Sequence, residues 1–280
     1  MARLRRLEWP GQAHYLIQRA NGTSSEGGVF ADATDRGHFL AALSDAVRHE
    51  AVQVHAYALM PNELQLLATP TEPGALGRLM QALGRRYVSA YNRRHSHRGS
   101  VWDGRFRCAV VEPGAMRLAA LQLVDGQSAE PGVTSCGPRT GGPRDPLLID
   151  LPEWWALGNT PFEREATYRA RLLQGLPQAG AGELRQAALG GWAAGSAAFA
   201  AQVAEATARP ALPRSRGRPR SLHPSVCIAH CAGHAACSTA GLLPARHLIR
   251  RSGNRPEVFV CPHLSPNCFN RFIHRVRPLL

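Results

Sequence analysis

Glu63-Leu64-Gln65 and Tyr87 are the residues whose types and spacing could do chemistry. In an extended strand, residues i and i+2 share a face, so a carboxylate at 63 and an amide at 65 point at one spot. Tyr87 follows on a basic, helix-like segment that reads Arg85-Arg86-Tyr87 and then Tyr91-Asn92-Arg93-Arg94. Two polar groups around one apolar residue, then a tyrosine among arginines, suggest chemistry on a DNA phosphate. The same residues also read as an outward polar pair on a half-exposed strand and as one member of a helix's apolar stripe.

The elements that must position them follow from periodicity. Residues 12–19 alternate as a first strand. Residues 32–35 offer helix N-cap chemistry, and Phe39, Leu40, Leu43 and Val47 continue at helical spacing. Residues 52–60 and 63–69 read as a hairpin around the Pro61-Asn62 turn. From 76 to 94, Leu76, Leu79, Met80, Leu83, Tyr87 and Tyr91 form one stripe of a helix. Residues 105–111 read as a fourth strand. The order is β-α-β-β-α-β, an α+β ferredoxin-like domain with an antiparallel sheet. Such a sheet is expected to have one face under the helices and one free to hold a site.

The domain is expected to span 1–115, followed by a short helix and a Gly/Pro-rich linker at 116–150. A helical region follows at 151–209, then an Arg/Pro linker at 210–220. Residues 221–280 hold one acid, Glu257, and five of the seven cysteines. They read as a disordered or read-through tail rather than a further domain.

The formal charge is +13, and all 33 basic residues are arginine. Such a balance favours a polyanionic partner, and arginine forks onto phosphate and guanine where lysine acts as a point charge. Arg85, Arg86, Arg93, Arg94, Arg98, Arg105 and Arg107 cluster around the second helix and the fourth strand, with Trp102 among them. Cations that track a backbone and rings that stack bases are what single strands require. Arg216 and Arg218, in Arg-Gly-Arg-Pro, resemble a minor-groove hook. No run of 18 apolar residues occurs and no signal peptide is evident, so the expectation is a cytoplasmic protein with no membrane partner.

Residues 1–112 resemble the IS200-type single-tyrosine transposases, and in particular their REP-associated branch. His55-Ala-Tyr57, Leu59-Met60-Pro61-Asn62, Leu66-Leu67, Arg85-Arg86-Tyr87, Tyr91 to His95 and Trp102 to Arg107 carry the likeness. It implies single-stranded hairpin DNA as partner, action as a homodimer, and Tyr87 as nucleophile forming a phosphotyrosine link. The family carries histidine-hydrophobic-histidine directly after the Pro-Asn, so the metal position falls on Glu63 and Gln65. A carboxylate and an amide oxygen would suit a hard cation, Mg²⁺ or Mn²⁺, and hold it more weakly than two imidazoles. Residues 117–126 also lack the aromatic helix and Asn-Pro turn of the family. The expectation is a DNA-binding relative with impaired catalysis; the alternative is an active strand transferase using Tyr87 and a hard metal at Glu63 and Gln65.

Overall fold

Apolar residues fall on both sides of the central strands, and the sheet is accordingly covered on both faces. The computed structural model describes residues 5–22, 28–128, 130 and 133–213, all within one compact unit, Met1–Arg218. Arg216, Arg218 and the tail at 221–280 lie outside the described residues. The order is β1 (His14–Arg19), α1 (Ala33–His49), β2 (Val52–Met60), β3 (Glu63–Pro70), α2 (Ala75–Arg94) and β4 (Arg107–Val111). Helices α3 (Ala115–Asp125), α4 (Pro152–Trp155), α5 (Pro161–Gln174) and α6 (Gln178–Gly190) follow, then β5 (Ala193–Ala194) and α7 (Ala197–Thr207). The sheet order is β2-β3-β1-β4-β5, antiparallel except for the short β4–β5 pair. The first four strands and two helices are the ferredoxin-like arrangement, so the fold is α+β as the alternation implies.

Local chemistry sets the boundaries. Asp32 caps α1 by accepting from the Asp35 N–H. Thr160 and Glu163 form a capping box on α5. Gly28 has φ +80° and lies so close to Pro61 that a Cβ would overlap the proline carbonyl. That close approach seats the segment before α1 on the β2–β3 turn, where Val29 N–H donates to Pro61 O at 2.7 Å. A bulge at His55 shifts the β2–β3 register between Val54 and Ala56.

One face of the sheet presents Leu16, Val54, Leu64, Leu66 and Cys108 to α1 and α2. The other presents Tyr15, Ile17, Ala56, Ala58, Leu67 and Ala109 to Leu121 of α3, Trp154 of α4, Tyr168 of α5 and Leu184 of α6. The expectation of a free sheet face therefore fails. Residues of α3 to α6 bury that face, while α7 packs in a further cluster with Leu7, Val110 and Ala193.

The stretch read as a linker is also anchored. Arg139 is 1% exposed and pairs with Asp125 at 3.1 Å and Asp150 at 3.4 Å. It also donates to the His55 carbonyl exposed by the bulge. Asp125 accepts from Ser135 and Tyr168, both at 2.7 Å. A Gly/Pro-rich composition masked this, because the anchoring depends on one long-range arginine.

Candidate nucleic-acid interface

Strand β3 places Glu63 and Gln65 on one face, as the period of two requires. Tyr87 is on the other side of the sheet. It lies in the core beneath α1 and α2 with Leu64 and Leu66, and it is 1% exposed. Its hydroxyl donates to the Val29 carbonyl, and its ring packs on Phe30 and Phe39 at 5.6 and 5.2 Å between centroids. Burial pushes its phenol well above the usual tyrosine range. The phenol is therefore buried, hydrogen-bonded and on the opposite face from Glu63 and Gln65. The physical reason is plain: an apolar helix stripe seeks the apolar strand face, and the polar pair points the opposite way.

Glu63 has a cation partner already. Arg185 of α6 grips it bidentately, Nη1 to Oε1 and Nη2 to Oε2 at 2.6 Å each, and Arg19 Nε lies 3.7 Å away. Gln65 Nε2 donates to Glu63 Oε1 at 2.8 Å, and the Tyr15 hydroxyl donates to Gln65 Oε1 at 2.8 Å. Both carboxylate oxygens face guanidinium N–H groups, and the amide oxygen is used. A divalent cation would have to displace a charge of its own sign. The residues present do not fit a metal, and among the described residues no group of three or more His, Cys, Asp or Glu could hold one.

The arginine cluster divides in two. Arg94 is tied to Asp32 and, at 2.5 Å, to Asp35, and Arg86 faces Asp45 at 3.9 Å. Arg94 holds the Asp32 carboxyl at about 2. These two arginines brace α2 against α1. Arg85, Arg93, Arg98 and Arg105 are exposed and form no ion pair among the described residues. Arg93 donates to Ser89 Oγ at 2.8 Å. Arg107 is exposed and donates to the Leu189 carbonyl at 3.1 Å. Trp102 is half-buried against Phe30 and Tyr87, at 6.1 and 6.3 Å between centroids, so its ring is spent on the core.

A feature that spacing alone could not show lies at the end of β1 and β4. A cavity of about 370 Å³ is lined by Arg5, Arg6, Arg19, Arg105, Arg107 and Arg209, with Asp103 the single carboxylate. Phe106 and Trp192 contribute rings to its wall. The arginine pair at 5 and 6 was a visible signal, but Arg209 and Trp192 come from the far end of the unit.

No family model and no curated protein matches the chain. Among solved structures, a REP-associated tyrosine transposase bound to a REP hairpin aligns with 44% of this chain and 70% of its own. Its identity is 13% and its TM-score 0.37. A protein described as a candidate transposase from Deinococcus radiodurans R1 aligns with 46% of this chain and all of its own, at 22% identity and a TM-score of 0.30. No helix among the described residues is long and apolar enough to cross a membrane.

Proposed function

We propose that this chain is a transposase-related protein that holds single-stranded hairpin DNA without cutting it. The observation that carries the reading is the set of exposed arginines, Arg85, Arg93, Arg98 and Arg105, that form no ion pair among the described residues. Asp45 faces Arg86 and Asp32 holds Arg94, so these acids leave the outward charge of Arg85 and Arg93 available to phosphates. The sequence resemblance supplies the kind of nucleic acid. Support for the loss of cutting comes from the sheet itself, which separates Tyr87 from Glu63 and Gln65, and from Arg185 on Glu63.

Binding should follow the charges. A labelled single strand bearing a hairpin should be released steeply as salt rises. Arg85→Ala with Arg93→Ala should weaken it by roughly tenfold or more and flatten the salt dependence by about one to two phosphate contacts. The melting temperature should stay put, since both side chains are exposed. Equal affinity of the double variant and the unmodified protein at moderate salt would refute the interface.

Cutting should be absent. On a denaturing gel, labelled DNA should not travel with the protein in Mg²⁺ or Mn²⁺. Glu63→His with Gln65→His should not create a Tyr87-dependent adduct either, because the phenol stays on the opposite face. An adduct formed by the unmodified protein and lost in Tyr87→Phe would restore the active-transferase reading.

A further inference from the structure

The arginine-lined cavity carries more positive charge than the fold can use. Arg209 donates Nη2 to the Gly191 carbonyl at 2.9 Å, while its Nε and Nη1 are buried with no hydrogen-bond partner. The Arg6 guanidinium carbon lies over Phe106, 3.9 Å from the ring centroid. Neither guanidinium has an ion pair among the described residues, and burial pulls both below the usual arginine range. Arg6 is exposed and Arg209 half-buried; guanidinium donors left without a partner at a cavity wall favour an anion there.

The wall also has stacking surface. Trp192 lies directly against the backbone of Gly190, where a Cβ would overlap the indole. That glycine seats the ring beside Arg209, whose guanidinium carbon is 5.6 Å from its centroid. Exposed Arg105 and Arg107 stand at the rim. A volume of about 370 Å³ falls at the small end of ligand pockets. It suits one nucleotide and is too small for a duplex.

We propose that this cavity holds a single nucleotide, with its phosphate on Arg209 and Arg105 and its base against Trp192. The proposal deepens the DNA-holding reading, and rests on it for the source: the nucleotide belongs to a bound strand, at its phosphorylated end. A free nucleoside monophosphate has the same chemistry and could fill the same space.

The test uses the full chain and calorimetry with three probes: deoxyadenosine monophosphate, deoxyadenosine and inorganic phosphate. The monophosphate should bind at least about tenfold more tightly than the nucleoside, the gain expected of charge-assisted bonds. Arg209→Gln and, independently, the exposed Arg105→Ser should each weaken it about tenfold. Trp192→Ala should weaken the nucleotide and leave inorganic phosphate unchanged. A second arm compares 5′-phosphorylated and 5′-hydroxyl single strands of one sequence. Tighter binding of the phosphorylated strand, lost in Arg105→Ser, identifies a strand end as the source. Equal binding of the two strands, with Arg209-dependent binding of the monophosphate, keeps the cavity as a nucleotide site and overturns the strand end. Monophosphate affinity unchanged in both arginine variants overturns the cavity, even where the strand still binds through Arg85 and Arg93. Failure of every strand to bind the unmodified protein overturns the DNA-holding reading alone, and the monophosphate arm then decides the cavity.

Discussion

Between pH 6.5 and 4 the fold should lose roughly 5–7 kcal/mol, most of a typical domain's stability. The loss comes from two buried histidines. His14 is fully buried; its Nδ1–H donates to Gln12 O at 2.8 Å and its Nε2 accepts the Trp9 N–H at 3.2 Å. His55, at the β2 bulge, donates to Ile149 O at 2.6 Å and accepts from Thr69 Oγ1 at 2.8 Å. In both rings one nitrogen accepts; protonation of His14 breaks its bond from the Trp9 N–H, which can only donate, and in either ring it buries a charge. Burial holds each at about 4, below the ordinary 6.5.

The sign follows from proton counting. Between those values the unfolded chain binds more protons than the folded one, so stability is full above pH 6.5 and falls as pH drops. Each histidine contributes about 3 kcal/mol by the time pH 4 is reached. Denaturant midpoints measured from pH 8 to 4.5 should fall steadily below 6.5, before most carboxylates titrate. His55→Gln should halve that slope. A flat profile from pH 7 to 5 would show that the two rings are solvated.

How much of this could be read from residues alone depends on range. The β-α-β-β-α-β order was legible because the alternation of residues 12–19 and the Pro61-Asn62 turn are local signals. The stripe containing Tyr87 was legible for the same reason. Its side of the sheet was legible too, in retrospect: the alternation that puts Glu63 and Gln65 on one face puts Leu64 and Leu66 on the other. The resemblance sets Tyr87 together with Glu63 and Gln65, whereas the stripe that carries it packs on the face of Leu64 and Leu66. The second cover was signalled by Tyr15, Ile17 and Leu67, apolar residues on the face expected to be free. Arg185, which occupies the cation position beside Glu63, was not legible. It lies 122 residues away, with nothing in its own helix to announce the pairing.

Arg139→Met should destabilise the protein by about 3–5 kcal/mol, which is the largest effect expected of a single substitution. Nothing about residues 126–146 as a Gly/Pro-rich connector would predict it. The substitution removes the ion pair with Asp125, the bond to the His55 carbonyl and the link to Asp150. It leaves Asp125 with its carboxyl in the core, held only by Ser135 and Tyr168. Burial already pushes that carboxyl above the usual aspartate range, with Arg139 the main opposing influence. Without the arginine it rises further. A carboxyl with a raised folded value stabilises the protein below that value and loses the contribution as pH rises. The variant should therefore lose stability on going upward from the ordinary aspartate range near pH 4, against the trend set by His14 and His55. Asp125→Asn added to Arg139→Met should return part of the loss, because it removes the stranded charge while keeping an acceptor for Tyr168. Denaturant melts of the four proteins, at pH 5 and pH 7.5, measure both the coupling and its sign. Limited proteolysis should cut between residues 126 and 150 in the variant far faster than in the unmodified protein. Melts within about 0.5 kcal/mol of one another, with equal proteolysis, would mean the segment is a connector after all.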